Sequence, residues 1–322
     1  MFAVYADSFS KDDPLAGLRV GERPDPDVPD GWTTVTVKAA SLNHHDLFSL
    51  RGVGLRAEAL PMILGCDAAG HDEDGNEVVV HAVISDPDWR GDETFDPRRS
   101  LLSEKFQGTF ADRVVVPRQN LVPKPASLTF EEAACLPTAW LTAYRMLFTQ
   151  GGLKAGDSVL VQGAGGGVAT AAITLARAAG LKVYATSRDE AKQKRALELG
   201  AHEALPSGER LPVKVDAVIE TVGRATWKHS VRSLRPGGAI IISGTTSGAN
   251  LDDAMLTNIF FLQLKVIGST MGTRNELASL VSLLEATGTR PLIDRTMPLT
   301  EAKAGFEAMH AGDLFGKVVF TL

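Results

Sequence analysis

Residues Val159 to Ala169 read VLVQGAGGGVA. An apolar run stops abruptly in glycines, and a small-residue pattern, VATAAITLARAAG (168–180), follows at once. A strand that ends in glycines and feeds a helix is the setting in which a glycine-rich motif becomes informative. Glycine lets the backbone turn tightly and approach a pyrophosphate, and the first turn of the helix then offers free N–H groups and positive dipole. Two registers of G-x-G-x-x-G fit the stretch. One runs Gly163-x-Gly165-x-x-Val168 and the other Ala164-x-Gly166-x-x-Ala169. The third position must be small for the helix to pack closely on its strand, so Ala169 favours the second. The competing reading is a glycine-rich turn without a ligand. The alternation that follows weighs against it.

Beyond the glycines, strand and helix patterns alternate. Ser158–Gln162, Lys182–Thr186, Val215–Glu220, Ala239–Ser243 and Leu264–Gly268 read as strands, and Val168–Ala179 and Glu190–Leu199 as helices. Near-continuous apolar strands alternating with helices imply a parallel sheet covered on both faces, a doubly wound α/β domain. Upstream of about residue 124 the chain is β-rich. Val35–Ala40, Glu77–Val83 and Arg113–Val116 are short strand candidates between turn-rich stretches. Ser85–Gln107 is polar and rich in turn residues, as in a surface lobe. Pro117, Pro123 and Pro125 punctuate the exit from this region. Thr129-x-x-Glu132 is a capping-box pattern opening a helix that Pro137 should kink or divide. Helices over Asn275–Ala286 and Thr300–His310 precede a last strand, Lys317–Thr321, which is expected to return to the first region.

Composition excludes several classes. With 322 residues the chain should hold about two domains. A formal net charge of −6 argues against a nucleic-acid surface. No apolar run approaches the roughly 20 residues that span a bilayer. MFAVYADSFSKDD lacks the basic and apolar regions of a signal peptide. Only two cysteines occur, Cys66 and Cys135, so no disulfide framework is expected and a cytoplasmic setting is the default.

The tip of the second strand speaks to the dinucleotide. NAD sites place an acid about 20 residues past the glycines, on the ribose hydroxyls. Here the strand ends Ala185-Thr186-Ser187-Arg188. Ser187 offers a hydroxyl and Arg188 a guanidinium fork, which suit a 2′-phosphate, and Lys192 lies one helical turn on. Asp189 reads either as a helix cap or as a displaced ribose acid, which would restore NAD. The local chemistry favours NADP(H).

Several segments together resemble the medium-chain dehydrogenase/reductase superfamily over nearly the whole chain. They are SLNHHDLFSLRG (41–52), PMILGCDAAG (61–70), GTFADRVVVP (108–117), LPTAWLTAYRML (136–147), the glycine loop, LRPGGAIIISG (234–244) and FGKVV (315–319). The likeness is greatest to the zinc-independent quinone-oxidoreductase and enoyl-reductase branches. The resemblance implies a GroES-like β-rich catalytic domain over residues 1–124 and a Rossmann NADP-binding domain over 125–269. A C-terminal segment, 270–322, would complete the catalytic domain. It also implies an active site in the cleft between the domains, a small-molecule substrate and a homodimer.

The chain departs from zinc-dependent relatives where they bind metal. Their first ligand belongs in a motif like C-H-T-D, and this chain reads Asn43-His44-His45-Asp46. The second belongs in G-H-E, where Gly65-Cys66-Asp67 stands. The third falls near Thr138. Asn and Thr are poor zinc ligands. The segment matching the structural-zinc lobe, Ser85–Gln107, has no cysteine. His44, His45, Cys66, Asp67, His71 and His81 are potential ligands for a rescued site, but no C-x-x-C or H-x-x-x-H spacing occurs. No metal is expected. Without a Lewis acid, the electrophile must be activated by hydrogen bonding, which favours quinones, enones and enoyl thioesters over plain ketones.

The resemblance also assigns residues. Asn43 should sit near the nicotinamide ribose or substrate, and Thr142 should face the cofactor. Ala164, Gly166, Gly167 and Val168 should line the pyrophosphate, and Ser187, Arg188 and Lys192 the 2′-phosphate. Thr221 and Val222 should flank the adenosine or ribose. Ser243, Gly244 and Thr245 should lie beside the nicotinamide, with Gly268, Ser269 and Met271 from the last strand. Lys317 should approach the cofactor phosphates from the tail. The position of these residues at strand carboxyl ends follows the general rule for open α/β sheets. Each has a plainer reading as a turn, core or solvated residue. His45 and Asp46 are the proton-donor candidates, with solvent as the alternative. The expected activity is hydride transfer from NADPH to a conjugated acceptor. An alcohol dehydrogenase with an unusual metal site and a non-catalytic NADPH sensor are the other readings.

Overall fold

A computed structural model describes every residue from Met1 to Leu322. The chain forms two compact units, Met1–Leu141 with Met271–Leu322, and Thr142–Thr270. No helix is long and apolar enough to cross a membrane.

The first unit is built around the strand Trp32–Ser41. Its alternate residues Thr33, Val35, Val37 and Ala39 are buried. It pairs antiparallel with Asp67–His71, with Arg113–Pro117 and with Lys317–Thr321. Val35 and Val37 join Val78, Val80, Val114, Val116, Phe110, Phe306 and Phe320 in one apolar core. The tail strand thus returns to this unit. Val319 lies opposite Ser41, and Leu42 N donates to Val318 O at 3.0 Å, which brings Lys317 beside Asn43. In the 85–107 lobe, the Asp96 carboxylate accepts the N–H groups of Asp86 and Arg98 at 2.6 and 2.7 Å.

The expected helix opens with its capping box. Thr129 Oγ1 accepts Glu132 N at 3.2 Å and Glu132 Oε2 accepts Thr129 N at 3.0 Å. After Ala134 the winding widens, and Leu141 N reaches back to Leu136 O around Pro137. A proline cannot donate to the helical ladder, and a wide turn absorbs the missing bond. The first boundary between units therefore falls at Leu141/Thr142, not at 124/125. The reason is packing. Phe130–Ala134 lies on strands Trp32–Ser41 and Asp67–His71, and the Phe130 ring is 5.1 Å from His71 and under the Lys124 ammonium at 4.9 Å.

The second unit is one parallel sheet. Its strands are β1 (Ser158–Val161), β2 (Lys182–Ser187), β3 (Glu203–Pro206), β4 (Val215–Glu220), β5 (Leu234–Ile242) and β6 (Lys265–Gly268). Helix α1 spans Gly167–Ala178 and α2 spans Glu190–Leu199. The strand order is β3-β2-β1-β4-β5-β6. Direction reverses between β1 and β4, which is where open α/β sheets bind ligands, beyond the strand carboxyl ends. The central strands are buried on both faces: Val159, Leu160, Val161, Val183, Tyr184, Val218, Ile219, Ile240 and Ile241 are all inaccessible. Helix α1 lies on β1 and β2 with its small residues Ala169, Ala171, Ala172 and Ala176 inward. Edge strand β6 differs, with Val266 46% exposed.

Candidate functional site

The glycine loop leaves β1 at the point of reversal. Gly163 and Gly165 have φ of +71° and +127°, which side-chain-bearing residues adopt only with strain. Gly166 is the extended N-cap of α1 with φ −73°, and Ala169 is buried on the strand side. The two registers of the motif therefore divide the work. The turn needs glycine at 163 and 165, and the close packing needs the small residue at 169. Ala164 departs from its expected role, because its N–H is spent on Thr186 O at 2.8 Å and it is 5% exposed. No side chain caps α1. The N–H groups of Gly167, Val168 and Ala169 have no helical acceptor and face the end of positive dipole, a seat for an anionic group such as a pyrophosphate. A Cβ at 163 would lie 2.7 Å from Val222 Cγ2, so that glycine also permits a close approach.

At the tip of β2, Ser187 is buried and Arg188 exposed. Asp189 caps α2, its Oδ1 accepting Lys192 N at 3.2 Å. Ser187 Oγ accepts Asp189 N at 3.2 Å. The acid that could have served a ribose is thus engaged with a helix end. Thr221 and Val222 follow β4, and their carbonyls accept Thr246 N at 3.2 Å and Ser247 N at 2.8 Å. Ser243 N donates to Glu220 O at 3.1 Å, and a Cβ at Gly244 would lie 3.1 Å from Thr221 O. Gly268 and Ser269 end β6, and the Ser269 hydroxyl is buried without a partner, an acceptor-seeking group at the same sheet edge. The structure gathers Gly163–Val168, Ser187–Lys192, Thr221–Val222, Ser243–Thr245 and Gly268–Ser269 along one carboxyl edge. Thr142 is buried in the opening helix of this unit. Met271 is not part of that edge. It belongs to the first unit, with φ +47°, packed on Cys66, Ala82 and Val83.

In the first unit, Asn43 and Lys317 are placed differently from expectation. Lys317 is 1% exposed. Its Nζ donates to Asn43 Oδ1 at 2.6 Å, Leu42 O at 2.8 Å and Asp67 Oδ2 at 3.3 Å. Asn43 Nδ2 donates to Asp67 Oδ2 at 2.8 Å and to Ser41 O at 3.3 Å. Both side chains are consumed in one buried cluster, so neither amide nor ammonium is offered to a phosphate. Asp46 is inaccessible, and its two oxygens accept Asn43 N and Gly65 N at 2.9 Å each. Burial raises its carboxyl to about 7 against those two bonds. It braces the turn and is not positioned to donate outward. His45 keeps a partly exposed ring, with Nε2 3.4 Å from Ser103 Oγ and 3.8 Å from Glu104 Oε1. Burial holds its imidazole below the ordinary value against the carboxylates of Glu104 and Asp67.

The sequence reading missed three residues at the heart of the edge: Gln162, Thr186 and Glu220. All are inaccessible, and they connect neighbouring strand tips. Their signal was present, since each is a polar residue following a run of buried apolar ones in VLVQ, VYAT and VDAVIE.

The likeness to known proteins agrees with this geometry. Residues 29–126 match the family described as alcohol dehydrogenase GroES-like domain, and residues 167–286 that described as zinc-binding dehydrogenase. An acryloyl-coenzyme A reductase of Sulfurisphaera tokodaii is 28% identical over 95% of this chain and 97% of its own. A quinone oxidoreductase of Pongo abelii is 28% identical over 91% of this chain and 90% of its own. The crystal structure of an NAD-dependent alcohol dehydrogenase matches with a TM-score of 0.91 and 32% identity, covering 100% of both chains.

The zinc in the second family's description does not suit the residues present. The amide oxygen of Asn43 carries the Lys317 ammonium. Burial pushes the Cys66 thiol well above its ordinary range, and the thiol donates to Leu102 O at 3.2 Å. Zinc needs a thiolate, imidazole or carboxylate with a free lone pair. No three His, Cys, Asp or Glu side chains converge as metal ligands. Two domain matches, a glycine turn feeding an uncapped helix, and a relative structure matched over the full length place the chain in the medium-chain dehydrogenase/reductase superfamily, as an oxidoreductase that takes a nicotinamide cofactor.

Proposed function

We propose that this protein is an NADPH-dependent reductase that passes hydride to a quinone, an enone or an enoyl thioester without catalytic zinc. The observation that carries the reading is the Lys317–Asn43 contact. The chain's own ammonium fills the acceptors at the locus where zinc-dependent relatives have a ligand. Bound nicotinamide supplies the hydride at C4. The uncapped start of α1 holds the pyrophosphate. Arg188 and Lys192 take the 2′-phosphate, because Asp189 is engaged as a cap. Thr142 lines the cofactor side of the site. Asn43 acts by fixing the turn that carries His45, and His45 delivers the proton. The names of the reductase relatives support conjugated acceptors.

A second reading, an alcohol dehydrogenase using NAD, is favoured by the 32%-identical structure. One experiment separates the two. Loss of NADPH absorbance with 1,4-benzoquinone, methyl vinyl ketone or acryloyl-CoA, and less than about a tenth of a zinc per chain after zinc-supplemented expression, is the expected result. Binding of NADPH with no turnover of any acceptor overturns the reductase. Turnover of alcohols with NAD and bound zinc establishes the second reading.

The protein is further proposed to be a homodimer. Leu256, Phe260 and Phe261 are 69%, 69% and 76% exposed beside the open edge of β6. Such an apolar edge is a ready template for a second copy.

A further inference from the structure

We propose that Gln162, Thr186 and Glu220 form a polar brace that sets the spacing of the three cofactor loops, with Glu220 as its anchoring, positioning residue. The inference rests on reading this sheet edge as the cofactor seat.

The three residues lie side by side. Val161 is in register with Ala185 on one side and Ile219 on the other, so the next residues, Gln162, Thr186 and Glu220, stand at the same level. The backbone ladder fixes the strands up to that level. Beyond it a few backbone bonds continue, such as Ala164 N to Thr186 O at 2.8 Å, and side chains add the links between the strand tips. Thr186 Oγ1 donates to Gln162 Oε1 at 2.5 Å. Gln162 Nε2 donates to Ser230 Oγ at 3.0 Å and to His229 Nδ1 at 2.8 Å. Ser230 Oγ donates to Glu220 Oε2 at 2.6 Å. The tautomer of His229 follows, because its Nε2 donates to Glu209 O at 2.7 Å and leaves Nδ1 as the acceptor.

Glu220 closes the chain. It is inaccessible to solvent, and its oxygens accept Val222 N at 2.8 Å, Gly223 N at 3.0 Å and Thr226 Oγ1 at 2.9 Å. A buried carboxylate is costly unless donors surround it, and here they do. The two backbone bonds are the important ones. They hold Val222 so that its Cγ2 occupies the space beside Gly163. Each brace residue is immediately followed by a cofactor loop: Gln162 by Gly163, Thr186 by Ser187, and Glu220 by Thr221. A dinucleotide that spans these loops can meet all of them only if their separation is already correct. A satisfied polar network supplies that pre-organisation, where an apolar core would supply stability alone.

The test compares Glu220→Gln, Thr226→Val and Thr226→Ser with the wild type, each checked for native near-ultraviolet circular dichroism. NADPH affinity is read by the fluorescence of the bound nicotinamide. Affinity for adenosine 2′,5′-bisphosphate, which meets only the adenosine end, is read by calorimetry. Glu220→Gln and Thr226→Val should weaken NADPH by about tenfold or more and the bisphosphate, which meets Thr221–Val222 but not the glycine loop, by a smaller factor, while Thr226→Ser stays within about twofold of wild type. If Glu220→Gln does not fold, Thr226→Val carries the test. NADPH affinity within about twofold of wild type in both variants, or an equal loss for both ligands, overturns the brace. Wild-type protein that binds neither NADPH nor NADH overturns the cofactor reading, and the brace with it.

Discussion

Lys317 Nζ and Asn43 Oδ1 meet at 2.6 Å inside the first unit, joining residues 274 positions apart. The contact exists because Lys317 begins the tail strand that pairs with Trp32–Ser41, in a register that sets it opposite Asn43. It makes the lysine a structural cation. Asp67, with no accessible surface, depends on that charge, and its second oxygen, Oδ1, has no partner.

Lys317→Met should therefore unfold the protein more easily, by about 3–5 kcal/mol in urea denaturation, because it strands a buried carboxylate. Adding Asp67→Asn should recover more than about half of the loss. A phosphate-binding lysine would behave otherwise. Its removal would weaken NADPH and leave the denaturation midpoint in place.

Arg188 is exposed at the tip of β2, and Asp189 beside it serves as a helix cap. Arg188→Ala should cost about ten- to a hundredfold in NADPH affinity, the worth of a charge-assisted bond, and leave NADH unchanged. Equal losses for both dinucleotides would remove the argument for a 2′-phosphate contact.

Phe261, at the end of the helix just before β6, and Val266, on that edge strand, are 76% and 46% exposed. Phe261→Asp with Val266→Lys places charge on an edge that would otherwise be buried between copies. Sedimentation should show a dimer for the wild type and a monomer for the double variant, with unchanged far-ultraviolet circular dichroism. A monomeric wild type would exclude the dimer.

The Rossmann strands were legible because each buried strand is an apolar run that ends in a polar or glycine residue, as in VLVQG and VDAVIE. The tail strand was legible too, by its short apolar run VVF. The backbone of the glycine loop was not. Glycine stands at 163, 165, 166 and 167, so composition gives no contrast between the positions that need positive φ and those that do not. The role of Lys317 was also hidden, since its partners are set by a strand pairing across most of the chain. The first unit boundary was misplaced because Pro123 and Pro125 mark a turn, whereas the helix after them still packs on the first unit.

His81 supplies a pH test. Burial lowers its pKa from 6.5 to about 4, partly opposed by the bond of Nε2 to Gly272 O at 2.9 Å. Protons bind the unfolded chain more tightly, so the stability tied to neutral His81 is complete above about pH 6.5 and is lost as pH falls toward 4. Between pH 7 and pH 5 the wild type should lose about 2 kcal/mol more than His81→Gln, which keeps a donor but does not titrate. Parallel pH profiles for the two proteins would show that the imidazole is not held neutral.

Gly163 and Gly166 should respond differently to the same added methyl. At 163 the backbone has φ +71° and the new Cβ would stand 2.7 Å from Val222 Cγ2. Gly163→Ala should cost about 1–3 kcal/mol of stability, and Val222→Ala in the same chain should relieve the contact part and leave about 1 kcal/mol of backbone strain. At 166 the backbone has φ −73° and a Cβ would meet no protein atom within 4 Å. Gly166→Ala should therefore stay within about 0.5 kcal/mol of wild type in stability. Its methyl would stand at the exposed start of α1, in the space a pyrophosphate needs, so NADPH affinity should fall by about tenfold or more. Intact NADPH affinity in Gly166→Ala, with stability also unchanged, would mean that the helix start does not hold the phosphates.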